Sequence, residues 1–115
     1  MRFISLMRSP LILLDDHDEV LLSIPSGGRV SLAEDVRYST VADETYGPIP
    51  TTSIRQIITG LPDPTPGVSY VVPWRVQQAA RAMGFDVTDV YSPDSSLKRD
   101  GQIIGSRRLV RYIDG

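Results

Sequence analysis

Gly60-Leu-Pro-Asp-Pro-Thr-Pro-Gly67, followed at once by Val68-Ser-Tyr-Val-Val72, is the stretch on which the fold turns. Prolines 62, 64 and 66 each fix their own φ and push the preceding residue toward extended geometry, so this is a stiff connection. It feeds a β-branched, apolar run of strand length. Pro73 suits the first turn of a helix, and Val76-Gln-Gln-Ala-Ala-Arg-Ala-Met83 has helix-favouring content that stops at Gly84, a natural C′ residue. The expectation is a strand over 68–72 and one short helix over about 74–83. Its face of Val76, Ala79, Ala80 and Met83 should pack on a sheet.

Downstream, Phe85, Val87 and Tyr91 read as one side of a strand, with Asp86 and Thr88 on the other. Pro93-Asp-Ser-Ser96 reads as punctuation. Asp100-Gly101 is the strongest hairpin signal in the chain, because both positions tolerate positive φ. A last strand from Gln102 to about Ile113 contains Gly105, which implies a bulge or a close backbone approach.

Upstream, Leu11-Ile-Leu-Leu14, Val20-Leu-Leu-Ser-Ile24 and Arg29-Val-Ser-Leu-Ala33 read as a three-stranded antiparallel meander, turning at Asp15–Glu19 and at Pro25-Ser-Gly-Gly28. Val36 to Val41 reads as a fourth strand ended by Ala42–Thr45, with a second turn over Tyr46-Gly-Pro-Ile-Pro50. Residues 51–59 carry Ile54, Ile57 and Ile58 at helical spacing, but their β-branched content favours a strand. The fold class that follows is a β-rich α+β domain covering 1–115: a single antiparallel or mixed sheet, or a partial barrel, with one short helix.

Composition bounds the chemistry. A chain of 115 residues with 41% hydrophobic and 23% charged side chains is of ordinary globular make-up. The absence of cysteine excludes disulfides, thiolate metal sites and cysteine nucleophiles. Arg8 and Pro10 interrupt the apolar N-terminal run, so it reads as no signal peptide, and no stretch has the length of a membrane helix. The expected setting is the cytoplasm. A net charge of −2 argues against wholesale phosphate binding. The first 70 residues hold five basic against nine acidic side chains, the rest seven against five, and eleven of the twelve basic residues are Arg.

Four features invite a function. Asp15-Asp-His-Asp-Glu19 suggests a hard cation, but the calcium-loop glycine and glutamate are missing and a solvated hairpin tip explains it more simply. His17, the only histidine, would have to catalyse from that loop. Ser26-Gly27-Gly28-Arg29 resembles an anion cradle, yet a strand rather than a helix follows, so a plain turn is preferred. Arg107, Arg108 and Arg111, with Lys98 and Arg99, divide between strand faces instead of forming the basic stripe that nucleic acid wants. They serve as edge-protecting charges or meet an acidic partner. Trp74 and Arg75 sit at the strand-to-helix junction, where Trp is either core or an interface anchor. No phosphate loop, dinucleotide fingerprint or nucleophile elbow is present.

The segments Gly60–Val72, Val76-Gln-Gln-Ala-Ala80, Asp89-Val-Tyr-Ser-Pro93 and Arg99-Asp-Gly-Gln-Ile-Ile-Gly-Ser-Arg107 together resemble a group of small, uncharacterised bacterial and phage or prophage proteins. The resemblance covers the C-terminal half, with Ser9-Pro10 and Ile24-Pro-Ser-Gly27 matching loosely. It implies a mobile-element setting and carries no catalytic residue with it. The function expected is a non-catalytic binding protein, such as a phage-encoded modulator or inhibitor of a host or defence protein. Its partner-binding residues would be Trp74, Arg75, Arg107, Arg108 and Arg111, and it would use no cofactor or metal. The partner would be a host protein, with homo-oligomerisation open and no membrane or nucleic-acid role. The alternatives are a small-ligand or nucleotide-binding domain with weak hydrolase activity, and a virion or assembly component.

Overall fold

The computed structural model describes residues 1–113. In chain order it has β1 (Arg2–Ser5), β2 (Leu11–Leu14), β3 (Val20–Ile24), β4 (Ser31–Asp43), β5 (Gly47–Thr59), β6 (Val68–Val71), α1 (Trp74–Ala82), β7 (Val90–Arg99) and β8 (Gln102–Val110). Six strands form one mixed sheet in the order β1-β6-β7-β8-β2-β3, and β4 and β5 form a separate antiparallel pair. The fold is β-rich with one short helix, as the sequence implies, but it has two sheets and does not close into a barrel.

The stiff proline segment ends at Gly67, whose φ of +75° turns the chain into β6. β6 pairs in parallel with both β1 and β7, and α1 makes the crossover between β6 and β7. The helix stops as its sequence dictates. Gly84 takes φ +83°, its amide donates to the Arg81 carbonyl, and the Phe85 amide reaches back to the Ala80 carbonyl. That pair of bonds is a Schellman motif. Pro73 sits just outside the helix, at the N-cap, rather than in the first turn.

The core forms where α1 covers the sheet. Val76 and Ala80 pack against Tyr70, Val72, Val87 and Val90, with Leu6 and Val30 closing the sides. Met83, placed on that face by its spacing, is instead 42% exposed at the helix C-cap. Gln77 is fully buried, and its amide nitrogen donates to the carbonyls of Val90 and Val110, tying the helix to the ends of β7 and β8.

Several boundaries differ from the sequence reading. Arg2–Ser5 is a strand, visible only once its parallel partner β6 is known. The meander stops at two strands, because Ser31 opens β4, which leaves the main sheet. β4 runs unbroken to Asp43, so the turn is at 44–46, and Pro48 and Pro50 lie inside β5. The strand reading of 51–59 holds. Phe85 and Val87 belong to the loop after the helix, and Pro93–Ser96 falls inside β7. The Asp100-Gly101 hairpin is as read, with φ of +54° and +79°. β8 ends at Val110.

Candidate functional site

β4 and β5 are thirteen residues each and pair in one register from Ser31↔Thr59 to Asp43↔Gly47. At about 3.4 Å per residue such a ribbon is over 40 Å long. Its base meets the body, where Leu32 and Ile58 pack on the core cluster and Glu34 and Gln56 face the helix. Gly60 sits at that base with φ +88°, its backbone pressed against the Arg29 carbonyl. The remainder is an arm standing away from the body, which is why the longest dimension is 61 Å.

Paired residues in a ladder project to the same face, and faces alternate along each strand. Leu32, Glu34, Val36 and Tyr38 therefore share one face of the arm with Ile58, Gln56, Ile54 and Thr52. Near the body this face is core. Farther out it is uncovered, with Ile54 60% and Tyr38 83% exposed. The opposite face is polar midway along, where Arg37 pairs with Asp35 at 3.4 Å and Arg55 lies across the ladder from Asp35.

Trp74 and Arg75 belong to this surface. Both are exposed in the first turn of α1. A groove of about 560 Å³ runs between that turn and the arm, lined by Trp74, Arg75, Gln78 and Ala79 on one side and Leu32, Glu34 and Gln56 on the other. The Glu34–Gln56 pair lies along the arm between Leu32–Ile58 and the exposed Val36–Ile54 pair, so the groove beside the indole is of mixed polarity. A two-stranded ribbon is at best marginal in water by itself, and the exposed Val36, Tyr38 and Ile54 cluster on one of its faces.

The arginine segment does not join Trp74 and Arg75. Arg107 is half-buried and held at the β2–β3 turn, where it pairs with the Asp18 carboxylate and donates to the Asp15 carbonyl at 2.8 Å. Arg108 is exposed and lies opposite Asp94 in the β7–β8 ladder. Arg111 stacks 5.6 Å from the centre of the Tyr91 ring and donates to the Thr88 carbonyl. Three neighbours in sequence go to three different places.

At the β2–β3 turn the Asp15 carboxylate accepts the amides of His17 and Glu19, so the acidic cluster shapes its own loop. Among the described residues no group of three metal-ligating side chains converges. Gly27 and Gly28 have a packing reason: a side chain there would meet Ile4 Cγ2 at 3.0 Å and Leu6 Cδ2 at 2.9 Å. Of the buried serines, Ser92 donates to the Val72 carbonyl and Ser106 contacts the Ser96 hydroxyl. No helix among the described residues is long and apolar enough to cross a membrane.

The sequence reading missed the arm itself and the exposed β3, where Val20 and Leu21 are 63% and 64% exposed. The alternating pattern from Leu32 to Tyr38 was a usable signal for the arm, since it recurs over Thr52–Ile58 in the mirrored order a hairpin requires. Comparison with protein-family models, with curated proteins and with solved structures finds no match.

Proposed function

We propose that this is a non-catalytic binding protein that works as an assembly component, with the β4–β5 arm and the adjoining Trp74–Arg75 ledge as its contact surface. The observation that carries the reading is the uncovered apolar cluster of Val36, Tyr38 and Ile54 on the arm, set one polar pair, Glu34–Gln56, beyond the core contacts of Leu32 and Ile58, with a half-exposed indole across the groove from that pair. A protein gains nothing from holding Tyr38 and Ile54 in water, whereas an arm that docks on another surface buries them at roughly 25 cal/mol per Å². The resemblance to phage and prophage proteins supports the same reading by setting, since extended arms suit particle or complex assembly. An assembly role fits the arm better than inhibition of a host or defence protein, because the arm is a long, extended contact element. The glycine pair has a packing explanation that needs no nucleotide.

The test is site-specific photocrosslinking from positions 38 and 74 in producing cells, with thermal-shift screening against nucleotides and divalent ions alongside. Crosslinks to a protein from both positions, with no ligand-induced shift, are the expected outcome. No protein crosslink from either position, together with a nucleotide-dependent rise in melting temperature, would replace the reading with a ligand-binding one.

A further inference from the structure

The two edges of the arm are not alike. Pro48 and Pro50 in β5 face Ala42 and Thr40 in β4. Proline has no N–H, so these pairs are the non-hydrogen-bonded ones of the ladder. The even-numbered residues of both strands therefore turn their backbone groups outward. On β5 the outward row begins with two prolines and is blocked toward the tip, a familiar protection of edges. On β4 the outward row of residues 32 to 42 contains no proline and no lysine. It is an open edge, and the sheet order gives it no neighbour among the described residues.

We infer that the β4 edge pairs with the β4 edge of a second copy of this chain, antiparallel, with Val36 of one copy opposite Val36 of the other. This rests on reading the arm as a contact surface and names its partner. The charges select both occupant and register. Centred on Val36, the ladder sets Asp35 against Arg37 of the second copy and Arg37 against its Asp35. These are non-hydrogen-bonded positions, where side chains come closest. A shift of the centre to residue 35 sets Asp35 against Asp35, and a shift to 37 sets Arg37 against Arg37. Both place like charges directly opposite, which is destabilising.

On the apolar face the same register lines up Ile54, Val36, Val36 and Ile54 across four strands, and each Tyr38 falls beside Glu34 of the other copy. Continued past the strand ends, it brings Arg29 of one copy to Asp43 of the other. The paired stretch from Ser31 to Val41 is about 37 Å long and about 10 Å thick. That is a contact of roughly 400 Å² per partner in projection, about half the standard area and in the range of weak, transient contacts. The pair is therefore concentration-dependent rather than permanent.

Sedimentation velocity on the purified full-length chain tests this. The wild type should pass from one chain, 12.7 kDa, to twice that mass as concentration rises. Asp35→Arg and Arg37→Asp should each stay at one chain, because each sets like charges opposite, while an equimolar mixture of the two should recover the two-chain species. Val36→Pro removes an outward N–H at an edge position, where proline is tolerated, and takes no hydrogen bond from the β4–β5 ladder, so it should keep the wild-type circular dichroism and lose the dimer. A wild type that remains at 12.7 kDa throughout overturns the inference, as does a dimer that survives Val36→Pro. A monomer whose position 38 still crosslinks to another protein overturns the second copy as partner and leaves the binding reading standing.

Discussion

A side chain at Gly105 would place its Cβ 2.8 Å from Leu14 Cγ and 3.1 Å from the Ile12 carbonyl oxygen. That close approach lets β2 lie beside β8, and the register shift opposite Gly105, between Leu97 and Lys98, is the accompanying bulge. Both meanings of a glycine inside a strand thus hold at one position. Gly105→Ala should lower stability by about 1–3 kcal/mol through overpacking, read as a lower urea midpoint at unchanged slope. Trp74 is the opposite kind of residue. At 58% exposure its loss should change stability little, within about 1 kcal/mol, while a buried interface tryptophan is often a hot spot. Trp74→Ala should therefore leave the melting curve nearly unmoved and abolish the crosslink from position 38 to any partner that also covers the helix. Asp43 adds a pH signature. The amides of Tyr46 and Thr45 hold its carboxylate below the ordinary aspartate value. A depressed folded value means the contribution is present above the unfolded value and is lost as pH falls through the folded one. The Tyr46 amide resonance should titrate with a midpoint below that of a free aspartate, and Asp43→Ala should erase the step. A midpoint at or above the ordinary value would show that the tip is not held this way.

Elements differ in how far they can be read from sequence, and the difference follows from what fixes them. β6, α1 and the Asp100-Gly101 hairpin are set by local chemistry: proline stiffness, a glycine stop and two positive-φ positions. All three are legible. β1 is four residues whose ladder partner lies more than sixty positions away, with a single further bridge from Ser5 to Ser26, and nothing local marks it. The arm is masked by its own prolines, because Pro48 and Pro50 read as a turn until the ladder shows them on a free edge. Of the candidate site, Trp74 and Arg75 are legible at the strand-to-helix junction. The dispersal of Arg107, Arg108 and Arg111 is not, since Arg107 is claimed by Asp18 from a distant turn. The arm's independence is itself testable. Among the described residues, the arm contributes Leu32 and Ile58 to the core packing. Joining Asp35 to Arg55 through Asn-Gly should leave a body whose melting temperature falls by no more than about 4–8 °C, the shift of roughly 1 kcal/mol in a small domain. Loss of cooperative melting in that variant would mean the arm is part of the folding unit.

At the scale of the whole molecule, shape carries the argument. A compact chain of this length has a radius of gyration of about 13 Å, whereas the Cα value here is 18.5 Å with extents of 61 × 39 × 28 Å. The excess comes from one element, because a ribbon of more than 40 Å extends from a body whose main core cluster lies beneath α1. Such a shape is costly for a lone protein, since it exposes apolar surface that folding normally removes, and it becomes favourable when the surface is shared. Small-angle scattering separates the possibilities. At low concentration the radius of gyration should lie near 18.5 Å, with a maximum dimension at or above 61 Å. As concentration rises both should increase, because antiparallel pairing of β4 sets the two bodies at opposite ends of a four-stranded sheet. A value near 13 Å at every concentration would mean the arm folds back over its own body. Tyr38 and Ile54 would then be covered from within, and the contact surface proposed for this protein would not exist in solution.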